Sequence, residues 1–249
     1  MTIQQNNSNL VSSVNPRAKR LSLRVDQSAG VIKLTIPKWT TKWKIERFLK
    51  ANEDWIADKS ALLLPKIEIK HGTMILFQGV EHQIVIEHHN KRTTEISILP
   101  SPRRRGSFDT NKHTPACAGD TDMLLIKTSR DDPTSNLKRW MIDECRTVIE
   151  PMAHKKASII GKSISKIDLR DTKSRWGSCS TDKRLMLSWR LMMAPPEILD
   201  YVVAHEVAHL KHMDHSKKFW DACYDLTEGD ADDARQWLRD NGNQLMRWF

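Results

Sequence analysis

The chain has 249 residues, of which 39% are hydrophobic and 29% charged, and its net charge is +9. This composition is typical of a globular protein, and no segment approaches the roughly 18 uncharged apolar residues of a membrane span. The first twenty residues lack the apolar segment of a signal peptide, and the four cysteines follow neither a disulfide framework nor a CxxC zinc finger. We therefore expect a cytoplasmic protein with reduced thiols.

The N-terminal half is predicted to be rich in β-strands. Residues 1–16 are polar and are expected to be disordered. Alternating apolar positions in RLSLRVDQSAGVIKLTIP (20–37) predict a β-hairpin, and the spacing of apolar residues in 40–59 predicts one helix, with Trp43 on its apolar stripe. Further strands are predicted at 73–79, 82–88, 94–100 and 123–128.

A loop and a change of pattern mark the end of this half. Residues 101–120 contain two prolines, two glycines and three consecutive arginines without periodicity, which indicates a mobile loop. From Pro133 the pattern is helical, with a kink or an interruption expected at Pro151 and an end at Gly161. The segments SKIDLRD and RLMLSWRL predict strands, and two or three helices follow. The sequence therefore predicts an α+β protein with a β-rich N-terminal subdomain over 17–130 and a second domain over 131–249.

The segment AHEVAHLKHMDH (204–215) contains four histidines and one glutamate. On a helix, His205 and His209 lie about 40° apart and about 6 Å apart along the axis, so both imidazoles can meet one ion. Glu206 can reach a water on that ion without binding the metal itself. This is the HExxH arrangement of zinc hydrolases, in which the glutamate is the general base. Because residues 195–212 are apolar on nearly all sides, we expect a buried helix, whose histidines need partners.

A catalytic zinc site usually has a third protein ligand. His212 lies on the same helical face, but it is about 10.5 Å along the axis from His205, too far for both to bind one ion at roughly 2.1 Å. His215 can reach the ion only if the helix ends near Met213 and the chain folds back, with Asp214 in the turn. We predict His215 as the third ligand of Zn²⁺. The alternative is a carboxylate of the following helix, namely Asp221, Asp225 or Glu228.

The C-terminal segments resemble the YgjP-like metal-dependent hydrolases, a bacterial group related to the SprT-like proteases and the small gluzincins. The resemblance rests on RWGSCS, on LSWRLMMAPPEILDYVVAHEVAHLKHMDHSKKFW and on the N-terminal RLSLRVD and IKLTIPK, and it covers most of residues 17–225. It implies that residues 131–249 form a zincin-like metallopeptidase domain. It also implies Glu206 as the catalytic base and, as metal ligands, His205, His209 and His215.

The sequence departs from related patterns at three places. Asp214 occupies a position where the YgjP-like proteins commonly have asparagine, and the 101–120 loop is longer than their usual connection. The metzincin pattern HExxHxxGxxH has the same histidine spacing, but His212 replaces its glycine, so we do not place the chain among the metzincins.

The segment Arg175–Cys179 has two interpretations. In one, RLMLSW is an edge strand above the metal that pairs with an extended peptide, and the segment shapes the cleft. In the other, Trp176 and Cys179 fill the junction between strand and helix. Tyr201, one turn before His205, either faces the site or belongs to the core. No base in the sequence pairs with Cys179, so we do not predict it as a nucleophile.

The leading hypothesis is a zinc-dependent metallopeptidase that acts on a peptide or protein substrate through a metal-activated water. One alternative is a zinc hydrolase of a non-peptide amide, since HExxH determines water activation and not the substrate. Another is a nucleic-acid-associated, SprT-like protease that is targeted by its basic N-terminal half, and a further one is a non-catalytic metal-stabilised module. We expect at most weak nucleic-acid association and no membrane partner, and we interpret the nine tryptophans as packing residues.

Overall fold

The computed structural model describes residues 9–26, 29–61, 63, 66–101, 121–172 and 175–249. Groups of strands and groups of helices follow one another along the chain, which confirms the predicted α+β class. Two compact units are present, one formed by Met1–Ile67 with Met246–Phe249 and the other by Glu68–Leu245. The functional division at residues 130 and 131 stays a prediction. Except for Ser101, the loop predicted over 101–120 lies outside the described residues.

The first unit contains a three-stranded sheet in the order β1-β3-β2. Strands β2 (Ser22–Asp26) and β3 (Val31–Pro37) pair antiparallel, as the hairpin pattern predicts. Strand β1 (Leu10–Asn15) pairs parallel with β3, although the sequence predicts disorder there. Five of its six side chains are exposed and its apolar residues do not alternate, so no sequence pattern indicates this strand. Backbone hydrogen bonds to β3 order it.

Two helices complete the first unit, α1 (Lys42–Ala51) and α2 (Glu53–Ala61). The sequence predicts one continuous helix, but the chain breaks at Asn52, whose side-chain amide donates to the Phe48 carbonyl at 2.7 Å. Such a side-chain bond to the backbone competes with helix continuation. The core of the unit is formed by one face of β3 and by apolar residues of both helices, namely Ile32, Leu34, Ile36, Ile45, Leu49 and Ile56.

Two tryptophans of this unit are exposed. Trp43 is 62% exposed on α1, and Trp39, in the turn before the helix, is 86% exposed. The apolar stripe of α1 runs instead through Ile45 and Leu49, which are buried. The interpretation of the tryptophans as packing residues is therefore wrong for Trp39 and Trp43.

The second unit begins with a four-stranded sheet in the order β4-β5-β7-β6. All four strands overlap the segments that the sequence predicts as strands. Strand β7 lies inside the sheet, and five of its seven residues are buried. The bounds are β4 Met74–Phe77, β5 Val80–His88, β6 Glu95–Leu99 and β7 Asp122–Thr128.

Helix α3 (Thr134–Ile159) is 26 residues long and is not interrupted at Pro151, where the sequence predicts a kink or an interruption. Its buried stripe extends on both sides of the proline, so tertiary packing outweighs the lost backbone hydrogen bond. The predicted end is confirmed. Gly161 has a φ of +64°, and the Lys162 N–H donates to the Ala157 carbonyl at 2.9 Å, as in a Schellman motif.

A second, small sheet has the order β8-β10-β9. Strand β10 (Arg184–Ser188) is central, parallel to β8 (Lys166–Arg170) and antiparallel to β9 (Gly177–Cys179). The interpretation of RLMLSW as an edge strand is therefore wrong. The edge strands are β8 and β9, and β9 is too short and too polar to be recognised from its sequence. A 3-10 helix, Trp189–Met193, follows β10.

Three helices end the unit, α4 (Pro196–Ala208), α5 (Lys217–Leu226) and α6 (Ala231–Leu245). Helix α4 begins with a proline, which suits the first turn, and packs against α3, α5, α6 and β9. Ten of its thirteen residues are buried, which confirms the expectation of a buried helix. None of the helices within the described ranges is long and apolar enough to cross a bilayer.

A buried ion pair joins α3 to α4. The Lys156 Nζ lies 2.6 Å from Asp200 Oδ1, and the side chains of the two residues are 2% and 7% exposed. The same ammonium group donates to the Leu226 carbonyl at 2.5 Å, and the other Asp200 oxygen accepts from the Glu228 N–H at 2.7 Å. The pair therefore also holds the connection between α5 and α6.

Candidate metal centre

The chain reverses direction directly after α4. The helix ends at Ala208, earlier than the predicted end near Met213, and the His212 N–H donates to the Ala208 carbonyl at 3.0 Å. Asp214 Oδ1 then accepts from the Ser216 N–H at 3.3 Å, and Ser216 is the N-cap of α5. A short polar turn of this kind returns the chain toward the end of α4.

The reversal brings His205, His209 and His215 together. One nitrogen of each ring lies within 4.8 Å of the corresponding nitrogens of the other two. His215 Nε2 lies 3.3 Å from His205 Nε2. Two nitrogens bound at about 2.1 Å to one tetrahedral ion are about 3.4 Å apart, so this spacing fits an ion of the size of Zn²⁺.

The protonation of the rings also suits a metal. Burial and the neighbouring His209 and His215 lower the pKa of His205 to about 4, and burial lowers the pKa of His209. A neutral imidazole has a free lone pair, which metal binding requires. His209 Nδ1 lies 3.1 Å from the His212 carbonyl oxygen, a contact that favours a proton on Nδ1 and leaves Nε2 for the ion.

A phenylalanine of α5 supports the three rings. Phe219 is fully buried, and its ring centroid lies 4.4 Å from that of His209, 4.7 Å from that of His215 and 4.9 Å from that of His205. Contacts on this scale fix ring orientation as well as adding apolar burial. No local sequence pattern predicted a role for Phe219. The signal for it is the HSKKFW segment, which places an aromatic residue four positions after the third histidine.

The other predicted ligand candidates lie elsewhere. Among the residues that the structure describes, the three histidines form the one cluster with metal-ligand spacing. Glu228 instead accepts from Lys155 Nζ at 2.9 Å, and neither Asp221 nor Asp225 joins the cluster.

Glu206 lies in a pocket of about 190 Å³ that His205 also lines. It is 5% exposed, and burial raises its pKa to about 8, although Arg175 acts in the opposite direction. Its Oε2 is buried without a hydrogen-bond partner within the described part of the chain. A carboxylate with high proton affinity and an uncommitted oxygen at a pocket suits a general base. The pocket is lined by Trp176, Gly177, Tyr201, Val202, His205, Glu206 and Leu238.

Tyr201 and Cys179 are two further residues that the sequence singled out. Tyr201 lines the pocket, and its ring centroid lies 6.0 Å from that of His205. Burial raises the pKa of Cys179 to about 11, so this thiol is protonated near neutral pH and is a poor nucleophile.

Helix α6 contributes to the pocket in a way that the sequence did not indicate. Leu238 lines it, and Gly242 approaches Trp176 so closely that a Cβ at position 242 would lie 2.9 Å from the indole. The sequence analysis assigned no role to either α6 residue, because nothing local in α6 marks a contact with the segment at 175–179.

Gly177 on β9 leaves room for the Glu206 side chain. A Cβ at this position would lie 2.5 Å from both Glu206 Cγ and Oε1, closer than any real side chain permits. We expect Gly177→Ala to displace the carboxylate and to lower kcat/KM for peptide hydrolysis by about tenfold to a hundredfold, because misplacement by about 1 Å has effects of this size. Bound metal should not change, since the predicted ligands lie at the end of α4 and after it.

Steady-state kinetics and metal analysis of the purified variant check this prediction. Ser178→Ala, one position along the same strand, is the matched control and should behave as wild type. Wild-type kcat/KM in Gly177→Ala would contradict the assignment of a tight contact between β9 and Glu206.

Comparisons with known proteins identify a family. The sequence profile of the YgjP-like metallopeptidase domain matches residues 19–241. No curated protein sequence matches the chain significantly. The metallopeptidase zymogen jannalysin of Methanocaldococcus jannaschii is similar at 22% identity and a TM-score of 0.33, over 37% of this chain and 95% of that one. The zymogen abylysin of Pyrococcus abyssi is similar at 22% identity and a TM-score of 0.34, over 41% of this chain and 99% of that one.

The two structural likenesses cover less than half of this chain at low scores, so the assignment rests on the profile alone. The profile extends from the first hairpin to α6 and takes in the whole histidine cluster. The chain therefore belongs to the YgjP-like metallopeptidase family and is a metal-dependent hydrolase.

Proposed function

We propose that the protein is a zinc-dependent peptidase in which His205, His209 and His215 bind the metal and Glu206 is the general base. The observation that carries this proposal is the convergence of three imidazoles, one of which, that of His205, lines the same pocket as the buried carboxyl group of Glu206. Cys145, Cys179 and Cys223 are free thiols, which is consistent with our further proposal that the enzyme works in the cytoplasm.

When bound, zinc would polarise the scissile carbonyl group and lower the pKa of a water molecule toward 7. Glu206 accepts a proton from the attacking water and delivers it to the leaving amine. Burial raises the pKa of Glu206, so this carboxyl group holds the proton between the two steps better than an exposed glutamate does. Phe219 keeps the three histidine rings in place while this transfer occurs.

We propose that the substrate is an extended peptide which pairs with β9. Gly177–Cys179 pairs with β10 on one side, and within the described ranges no strand pairs on its other side. An unpaired strand edge offers backbone donors and acceptors to an added strand. Because Gly177 contacts Glu206, a peptide on this edge would run past the general base. This favours a peptide over a small non-peptide amide.

Metal removal tests the proposed function. We expect about one zinc ion per purified chain, and we expect chelation to abolish the hydrolysis of unfolded casein and one equivalent of zinc to restore it. Elemental analysis and a gel-based cleavage assay measure both effects. Small amides without a peptide backbone form the control arm and should remain intact. Hydrolysis by the stripped protein, or hydrolysis of the small amides alone, would contradict the proposal.

A further inference from the structure

The positive charge of the protein is concentrated in its first unit. Residues 1–67 carry twelve lysines and arginines against five aspartates and glutamates, whereas the remaining residues carry 28 against 26. All seventeen of these charged residues in 1–67 belong to the described part of the chain. The structure pairs two of the five acids with lysines, Asp26 with Lys33 and Glu46 with Lys42. The first unit is therefore a cationic body, and the catalytic centre lies in a unit that is close to neutral.

Two exposed indoles lie on this cationic unit. Trp39 is 86% exposed and Trp43 62% exposed, although an indole loses much free energy by contact with water. The Lys38 Nζ lies 5.0 Å from the Trp39 ring centroid, and the Arg47 guanidinium lies 5.3 Å from the Trp43 ring centroid. Arg47 is four residues after Trp43 on α1, so the two side chains share one face of the helix.

We propose that these residues form a binding surface for single-stranded nucleic acid, which we call the tryptophan platform: Lys38, Trp39, Trp43, Arg47 and Lys50. Unpaired bases stack on exposed aromatic rings regardless of sequence, and cations beside the rings bind the phosphates that connect the bases. Lys50 is exposed and follows Arg47 by three residues, which extends the row of cations along the same face of α1. A duplex hides its bases from stacking, so the platform prefers a single strand.

A membrane surface fits the platform less well. A helix that lies on a bilayer needs a broad exposed apolar face, but the apolar residues Ile45 and Leu49 of α1 are buried in the core of their own unit. The exposed residues of α1 are polar or charged apart from Trp43 and the small Ala51. A pair of isolated indoles among cations favours stacking on bases over insertion into lipid.

Fluorescence anisotropy of the full chain with a labelled oligothymidine tests the platform. The oligothymidine has about 20 nucleotides, more than the roughly 4–16 nucleotides that one stacking domain occupies. We expect binding that weakens with salt, and we expect Trp39→Ala with Trp43→Ala to lower the affinity by at least about tenfold. Trp39→Phe with Trp43→Phe should retain most of the affinity, because the phenyl ring still stacks. Lys38→Ala with Arg47→Ala should reduce the slope of log K against log salt by about 0.7 per cation.

Controls separate stacking from charge alone. Lys91→Ala with Lys162→Ala removes two exposed cations of the second unit and should bind as wild type. Unchanged affinity in the double alanine variant of the tryptophans would overturn the proposal. Equal or tighter binding of a duplex or of phosphatidylserine vesicles would overturn it as well, in favour of charge alone or of a membrane. Thermal unfolding of each variant shows that it remains folded.

The tryptophan platform and the proposed peptidase activity can be tested and rejected independently. The platform contains no metal ligand and lies in the other unit, so oligothymidine binding should persist in a chelator that stops hydrolysis. Binding without hydrolysis would reject the peptidase only, and hydrolysis without binding would reject the platform only.

Discussion

Replacing Glu206 with glutamine is expected to lower kcat for peptide hydrolysis by about 10²–10⁴-fold, the usual contribution of a general base. Glutamine has nearly the same shape, so it fits the space beside Gly177, but its amide cannot accept the proton of the attacking water. The three histidines remain in place, and zinc should stay bound at about one ion per chain.

Paired measurements of kcat and of metal content on the purified variant check this expectation. The two measurements distinguish loss of the general base from loss of the metal, because only loss of the metal would lower both kcat and the metal content. Normal turnover in Glu206→Gln would show that another group accepts the proton. If the hydrolysis then proved to come from a contaminating protease, the better interpretation would be a metal-binding module without catalytic activity.

Replacing His215 with alanine is expected to release the metal and, with it, all hydrolysis. This ring supplies one of three predicted ligands, and its loss should weaken zinc binding by more than the roughly 10–100-fold that the loss of a group behind a ligand causes. His215 is exposed, so the substitution removes little packing and the protein should stay folded. Competition with a zinc chelator of known affinity measures the change.

His212→Ala is the matched control. The His212 side chain does not belong to the metal cluster. Its backbone carbonyl oxygen contacts His209 Nδ1, and an alanine at this position retains that carbonyl. We therefore expect nearly normal zinc affinity in this variant. Retention of zinc in His215→Ala together with its loss in His212→Ala would contradict the assignment of His215 as the third ligand. It would favour His212, which the spacing along the helix excluded.

Local geometry was enough to predict the shared face of His205 and His209, since residues four apart on a helix always lie together. The place of His215 depended on a chain reversal, and the polar turn residue Asp214 and the cap Ser216 signalled it. The reversal begins at Ala208, earlier than predicted, and the N–H groups of Leu210 and Lys211 donate to carbonyls only three residues back instead of continuing the α-helix.

Features that depend on distant partners were missed or mistaken. Strand β9 has three residues, and only pairing with β10 makes it a strand, so no periodicity revealed it. The approach of Gly242 to Trp176 joins residues 66 positions apart along the chain. At Pro151 and Trp43 the local patterns were misleading. Packing on both sides of Pro151 keeps α3 continuous despite the proline. Trp43, which the pattern placed on the apolar stripe of a helix, is exposed to solvent.

The buried pair of Lys156 and Asp200 has a consequence for the evolution of the family. Loss of one partner leaves an uncompensated charge in the interior, at a cost of about 3–5 kcal/mol, out of a total stability of about 5–15 kcal/mol. Two apolar residues of similar volume could replace both at little cost. The two positions should therefore be inherited jointly, as lysine with aspartate or as two hydrophobic residues, and mixed combinations should be rare among descendants.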